Sequence, residues 1–199
     1  MQVASQSLGA EQIDALKEIK DDDKRHLAMT YYLRAGKSIG ARWSWTSERI
    51  KAYEQSAEYA QTLAEINTIA ARFAADNPGY LLFTNTQVRS LEEQIARWQT
   101  VRSIAVAASE LRKAALTQLA QASYEVAPSP ASSKRFRVFL TTWRASPAPT
   151  LAAPGLSLHG RGRAYDFQIH DKKGRTVVGT DTSTIRAIWD GQGWTEKLS

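Results

Sequence analysis

The chain has no cysteine, and that absence removes several chemistries at once. Disulfides, thiolate nucleophiles and cysteine-ligated zinc sites are all excluded. Histidine is nearly absent too: His26, His159 and His170 are the whole supply. Any metal must therefore be held by these three and by carboxylates. No run approaches the roughly 18 apolar residues of a membrane span. Met1-Gln-Val-Ala-Ser-Gln-Ser7 has neither a basic n-region nor an apolar h-region, so no secretory signal is visible. Proline is scarce before residue 128, with Pro78 alone, and then appears at 128, 130, 147, 149 and 154.

Net charge is missing from most of the chain. Residues 1–129 carry 15 Lys+Arg against 15 Asp+Glu, whereas residues 130–199 carry 11 against 5. The whole net charge of +6 thus sits on the C-terminal third. Such a segment suits an anionic partner: nucleic acid, an acidic glycan or a substrate ending in a carboxylate.

From Ala10 to Tyr124 the chain is rich in strong helix formers. Spacing predicts a first helix over about 10–35, ending at Gly36 and Gly40, with the charged run Asp21–Arg25 interrupting its apolar stripe. A second begins at a cap within Ser44–Ser47 and stops at Asn77-Pro78-Gly79. A third covers about 88–123, with a break near Thr100–Ser103. Tyr80–Thr84 reads as a short strand between the last two. Trp43 and Trp45 flank the second helix start, where a helix–helix contact is the favoured reading over an exposed binding surface.

The texture changes after Glu125. Residues 126–134 read as a linker by composition. Arg135–Thr142 alternates as a strand would, 145–155 is loop, Ala164–Ile169 is a strand, and Asp171–Gly174 turns it into a hairpin with Thr176–Val178. A short helix capped at Thr182 or Ser183 follows. The expected organisation is a helical region over 1–125, a linker over 126–134 and an α+β unit over 135–199. The fold class is α+β: a bundle of long helices followed by a small, incomplete antiparallel unit.

One motif carries specific chemistry. Ser157-Leu-His159-Gly-Arg-Gly162-Arg-Ala164-Tyr-Asp166 reads S-x-H-x-x-G-x-A-x-D. On a strand, Ala164, Asp166 and Gln168 share one face, and Tyr165, Phe167 and Ile169 the other. The aromatics then pack inward while Asp166 points with small and polar neighbours. Gly160 and Gly162 give the chain freedom to turn the imidazole back towards the carboxylate. Ser157 orients the loop by hydrogen bonding to its backbone.

This pattern resembles the first zinc-ligand motif of the M15 metallopeptidases, the D-Ala-D-Ala carboxypeptidase and dipeptidase group acting on bacterial cell-wall peptides. The resemblance covers roughly residues 135–199. It implies zinc as cofactor, His159 and Asp166 as ligands, and Ser157, Gly162 and Ala164 as supporting positions. It also implies an electrophilic role for Arg144, which follows Leu140-Thr-Thr-Trp where relatives have an S/T-x-x-R segment. The implied partner is a peptidoglycan peptide, and the implied location is the bacterial periplasm or envelope, with a cytoplasmic or phage-associated protein left open.

The family's second motif, E-x-x-H or E-x-W-H, supplies a third ligand and a general base. After Asp166 this chain has His170 and Glu196 alone. His170 shares a strand face with Asp166 but lies about 13 Å along it. Glu196 is followed by Lys197-Leu-Ser199, so it starts no E-x-x-H. Three explanations stay open: a truncated chain, a degenerate member, or a missing ligand supplied by His26 or a partner chain. The alternative function is a non-catalytic cell-wall-binding or protein-interaction scaffold. Nucleic-acid binding through the basic C-terminal segment ranks last, because no helix-turn-helix, RNP or zinc-finger pattern accompanies it.

Overall fold

A computed structural model of the chain describes residues 8–121, 129–162 and 164–180. The fold is α+β, dominated by helices, with one three-stranded antiparallel sheet. The helices are α1 (Ala10–Glu18), α2 (Asp22–Ala35), α3 (Ile39–Arg42), α4 (Ser47–Glu54), α5 (Ala57–Asp76), α6 (Leu91–Thr100), α7 (Arg102–Gln121) and α8 (Pro130–Thr142). The strands are β1 (Tyr80–Asn85), β2 (Asp166–Asp171) and β3 (Thr176–Val178). None of the described helices is long and apolar enough to cross a membrane. The expected helix at 182–189, with Glu196, lies outside the described residues.

The described residues group into two compact units, each drawn from two stretches of sequence. One lies within Met1–Ser47 and Arg89–Arg161, the other within Glu48–Val88 and Gly162–Ser199. The first is all helix and loop. Its centre is α2, which packs against α1, α7 and α8. Leu27, Ala28, Met29, Thr30, Tyr32 and Leu33 are all buried on α2, so this helix is covered on most sides rather than along one stripe. Trp98, fully buried, donates its indole N–H to the carbonyl of Lys24 at 3.1 Å, which satisfies the one polar atom of the largest core side chain.

The charged run at 21–25 ends α1 and starts α2 through named contacts. Asp21 caps α2 by accepting from the Lys24 N–H at 2.9 Å. Arg25 donates from Nε to the carbonyls of Leu16 and Ile19 at 3.0 and 2.8 Å, adding a second partner to Leu16, which already accepts from the Ile19 N–H, and serving the exposed C-terminal end of α1. His26, the next residue, is half-buried in α2, and burial lowers its pKa from the ordinary 6.5. In the pH window between 6.5 and that lowered value the unfolded chain binds the proton better, so acid favours unfolding. The expected result is a stability that falls as pH drops below about 6.5, measured by denaturant titration across that range. His26→Gln should flatten that part of the profile.

Helix α8 corrects the strand expected over Arg135–Thr142, and it starts inside the expected linker. Arg135-Phe-Arg-Val-Phe-Leu alternates, but Phe136, Phe139, Leu140 and Trp143 also recur at helical spacing, and all four pack into the core of this unit. The ends decide between the two periods. Ser129 accepts from the Ser132 N–H at 3.2 Å, and Pro130 occupies the first turn, where its missing N–H costs nothing.

In the second unit α5 starts at a Ser56 cap, whose hydroxyl accepts from the Tyr59 N–H at 3.1 Å. It packs on β1 after the Asn77-Pro78-Gly79 turn, where Gly79 has φ +110°. The sheet order is β1-β2-β3. Along the β1–β2 ladder, Leu82 faces Ile169 and Thr84 faces Phe167, while Asn85 faces Asp166, Phe83 faces Gln168 and Leu81 faces His170. Leu82 and Ile169 pack with Phe73 and Val178 into a small core, which Phe167 and, from α5, Ile69 and Ala70 border. The second set forms the open face. Phe167 and Ile169 thus turn inward as alternation requires, and Asp166 lies with Gln168 and His170.

Candidate functional site

The segment 153–161 of the first unit is held by a network of buried polar contacts. Pro154 offers its carbonyl to the Tyr32 hydroxyl at 2.7 Å. Tyr32 is fully buried, and desolvation raises its pKa far above the ordinary phenol range, so the hydroxyl stays a donor. The Gly155 N–H donates to Gln94 Oε1 at 3.0 Å, and the Gly155 carbonyl accepts from the Ser44 N–H at 2.9 Å. Gln94 Nε2 donates to Ser44 Oγ at 3.0 Å and to the Arg89 carbonyl at 2.9 Å. Ser44 Oγ in turn lies 3.3 Å from the Ser157 carbonyl. One buried glutamine on α6 therefore ties three stretches of chain together.

Two main-chain bonds flank the candidate ligand. The His159 carbonyl accepts from the Arg89 N–H at 3.1 Å, and the Gly160 carbonyl accepts from the Trp45 N–H at 2.8 Å. His159 itself is half-buried in a 3₁₀ turn, Leu158–Arg161, and Arg161 closes the turn from outside by donating Nη1 to the Ala41 carbonyl. The α6 end of this frame is rigid for a local reason: Ser90 and Glu93 form a reciprocal capping box, with bonds of 3.2 and 3.1 Å. Ser47 adds a 3.0 Å bond to Glu92.

The glycines of the motif have different causes. Gly160 needs no unusual backbone angle; a Cβ there would overlap Ser44 and lie 2.5 Å from Gln94 Nε2. It is small because the 44–45 strand of chain passes against it, and it does not supply the bend assigned to it from sequence. Gly162 has φ +62°, a backbone angle that glycine takes without strain. Ser157 enters through its carbonyl, which accepts from Ser44 Oγ and from the Gly160 N–H at 3.1 Å. Trp43 is buried in the core, edge-on to Tyr32 with ring centroids 5.3 Å apart, as the helix–helix reading expects.

Gly162 and Asp166 belong to the second unit. Asp166 opens β2 opposite Asn85 and is half-buried, with Ala164 two residues before it. Tyr165 donates its hydroxyl to the Gly162 carbonyl at 2.7 Å. Its pKa is raised well above the ordinary phenol value, first by burial and then by its hydrogen bond with Tyr53. His170 stacks on Phe83, with centroids 4.9 Å apart and planes 8° from parallel, and its Nε2 lies 3.0 Å from Gln168 Oε1 and 3.3 Å from Thr176 Oγ1.

Arg144 follows the helix α8, not a strand. Its Nη1 donates to the carbonyls of Thr141, Thr142 and Trp143 at 2.8, 2.9 and 2.9 Å. Arg34 joins it there, donating to the Thr141 and Trp143 carbonyls at 3.3 and 2.5 Å. Two guanidiniums thus cap the negative end of one helix.

His159 lies in one unit and Asp166 in the other. Among the described residues no three His, Asp or Glu side chains gather as a metal-binding group. The donors the motif points to number two, short of the four-coordinate set a zinc ion takes. His26 and His170 add no third donor to them among the described residues. No protein-family model, curated protein or solved structure matches the chain.

Proposed function

We propose that the chain carries the first ligand pair, His159 and Asp166, of a zinc-dependent peptidase acting on D-amino-acid-containing peptides of the bacterial cell wall. The observation that carries this reading is the five-position match Ser157, His159, Gly162, Ala164 and Asp166. Two features support it. The peptide group of His159 is held by Arg89, on a loop bound to a buried polar frame. Asp166 shares its sheet face with polar Asn85, Gln168 and His170 rather than with the core.

Zinc held by such ligands polarises a scissile carbonyl and lowers the pKa of bound water towards about 7. No third ligand or general base gathers with this pair among the described residues, so no catalytic step is assigned to them. Arg144 enters as stabiliser of the developing oxyanion by its sequence position alone. The basic C-terminal third suits a substrate ending in a carboxylate, and an envelope location goes with that substrate.

The test is hydrolysis of a peptide ending in D-alanyl-D-alanine, followed by release of free D-alanine. Expected is a zinc-dependent release that a chelator, His159→Ala or Asp166→Ala abolishes. No release at saturating zinc, with the chain retained on purified peptidoglycan, overturns the peptidase and favours the non-catalytic cell-wall scaffold.

A further inference from the structure

The fold sorts the charge more sharply than sequence position does. Met1–Ser47 and Arg89–Arg161, the stretches of the first unit, hold 17 Lys+Arg against 10 Asp+Glu, whereas the stretches of the second hold 9 against 10. Within the first unit there is no Asp or Glu over 24–47 or over 126–161. These two acid-free stretches meet. Helix α2 packs on α8, and Arg34 of α2 donates to the Thr141 and Trp143 carbonyls at the α8 end. Arg144 donates to the same two carbonyls. The two guanidiniums are close enough to feel one another: burial first, and then the Arg144 charge, lower the Arg34 pKa.

The cations continue along the surface. Lys134, Arg137 and Thr141 recur at helical spacing on one stripe of α8, about 10 Å long, and Arg144 folds back on its end. Lys37 follows Arg34 by three residues in the exposed turn Gly36–Ser38. Capping a helix end accounts for Arg34 and Arg144. It does not account for Lys37, Lys134 and Arg137, which are exposed and form no ion pair among the described residues. The acidic run Asp21–Asp23 lies at the other end of α2, about 17 Å from Arg34 along the helix, where Arg25 and Arg112 pair with Asp22 and Asp23.

The arrangement selects among anions. Five cations so closely spaced match a polymer of high charge density, and duplex DNA carries one charge per about 1.7 Å of its axis. A glycan with one carboxylate per sugar repeat meets fewer of them. Arginine presents a planar fork that fits phosphate oxygens. The aromatics of α8, Phe136, Phe139 and Trp143, pack towards the core, so this stripe offers no platform on which single-stranded bases would stack. Contacts to the backbone of a duplex need no recognition motif, and the sequence has none.

We propose that the α2–α8 face of the first unit, with Arg34, Lys37, Lys134, Arg137 and Arg144, binds the phosphate backbone of duplex nucleic acid without reading its sequence. The proposal stands apart from the zinc reading.

The experiment is fluorescence anisotropy of a short labelled DNA duplex titrated with the full chain, in the presence of a chelator and over a series of salt concentrations. Wild type is compared with Lys134→Ala/Arg137→Ala and with Lys17→Ala/Lys20→Ala, which removes as much charge from beside the α2 start. All four side chains are exposed, and thermal unfolding checks that each variant is folded at the assay temperature. Expected is wild-type binding that weakens as salt rises and is indifferent to duplex sequence. Lys134→Ala/Arg137→Ala should bind at least about tenfold more weakly at low salt, with a log–log salt slope shallower by about 2, since each lost phosphate contact removes about 0.9. Lys17→Ala/Lys20→Ala should match wild type. No salt-dependent binding by wild type, or equal losses in the two variants, overturns the face. Retention on phosphatidylglycerol vesicles with no binding of the duplex overturns nucleic acid as its partner. With chelator present, none of these outcomes bears on the zinc reading.

Discussion

Gly155→Ala should destabilise the protein by about 3–5 kcal/mol, the largest effect expected of any single methyl group in the 151–162 loop. Two costs add. Gly155 has φ +85°, where a Cβ is strained whatever the space around it. The new Cβ would also lie 2.6 Å from Cη2 of Trp43, a buried ring that stacks edge-on against Tyr32 and has no free direction to move. Relief requires shifting the loop, which breaks the Gly155 bonds to Gln94 and Ser44. For a chain of this size each kcal/mol moves the melting temperature by about 2–4 °C, so a fall of roughly 10 °C is expected. Thermal unfolding followed by circular dichroism measures it. A change under 2 °C would mean that the loop does not pack against Trp43.

Gln94→Leu should cost about 2–4 kcal/mol although it conserves side-chain size. The amide is buried and serves both directions, accepting from the Gly155 N–H and donating to Ser44 Oγ and the Arg89 carbonyl. Leucine removes the partner of the Gly155 N–H and one bond each from Ser44 Oγ, which keeps the Ser157 carbonyl, and from the Arg89 carbonyl; a buried group left unpaired costs about 1–3 kcal/mol. The same change frees the frame that holds the His159 carbonyl through Arg89. Limited proteolysis within 151–161 should therefore speed up more than global stability accounts for. The double variant Gly155→Ala/Gln94→Leu should lose less than the sum, because both changes release the same loop. Full additivity in urea denaturation would contradict the shared network.

These two residues mark the limit of what sequence reading reaches. Gln94 stands in a helix as one polar residue among several, and no local pattern marks it as buried. The signal that was available is the Ser90-x-x-Glu93 capping box, which fixes the start of α6 and puts Gln94 on its first turn, beside the Leu91 and Ile95 positions that face the core. Gly155 and Gly160 read equally well as loop flexibility. Their actual cause, the close passage of Trp43 and Ser44, is a contact across more than a hundred residues.

Periodicity did better where one period fitted and the ends carried caps. The α5 helix stops at Asn77-Pro78-Gly79, and the Asp171–Gly174 turn joins β2 to β3, because each signal is local. It failed at Arg135–Thr142, where apolar residues satisfy periods of 2 and 3.6 alike and the helical cap at Ser129-Pro130 decides. The Tyr80 strand was legible as a strand but not as the partner of Asp166–Asp171, since register over some 85 residues leaves no local trace. The candidate ligands stand in a motif read from sequence alone, and Gly162 has the positive φ that glycine takes readily. Gly160 does not, and Arg144 follows a helix end in place of the expected strand.

The most direct test of the ligand pair is zinc titration of the full chain against a chromophoric chelator, with His159→Ala and Asp166→Ala alongside. The account predicts one zinc bound by wild type and at least a tenfold loss of affinity in each variant, with unfolding midpoints unchanged in the absence of metal. Wild-type affinity in either variant would contradict it.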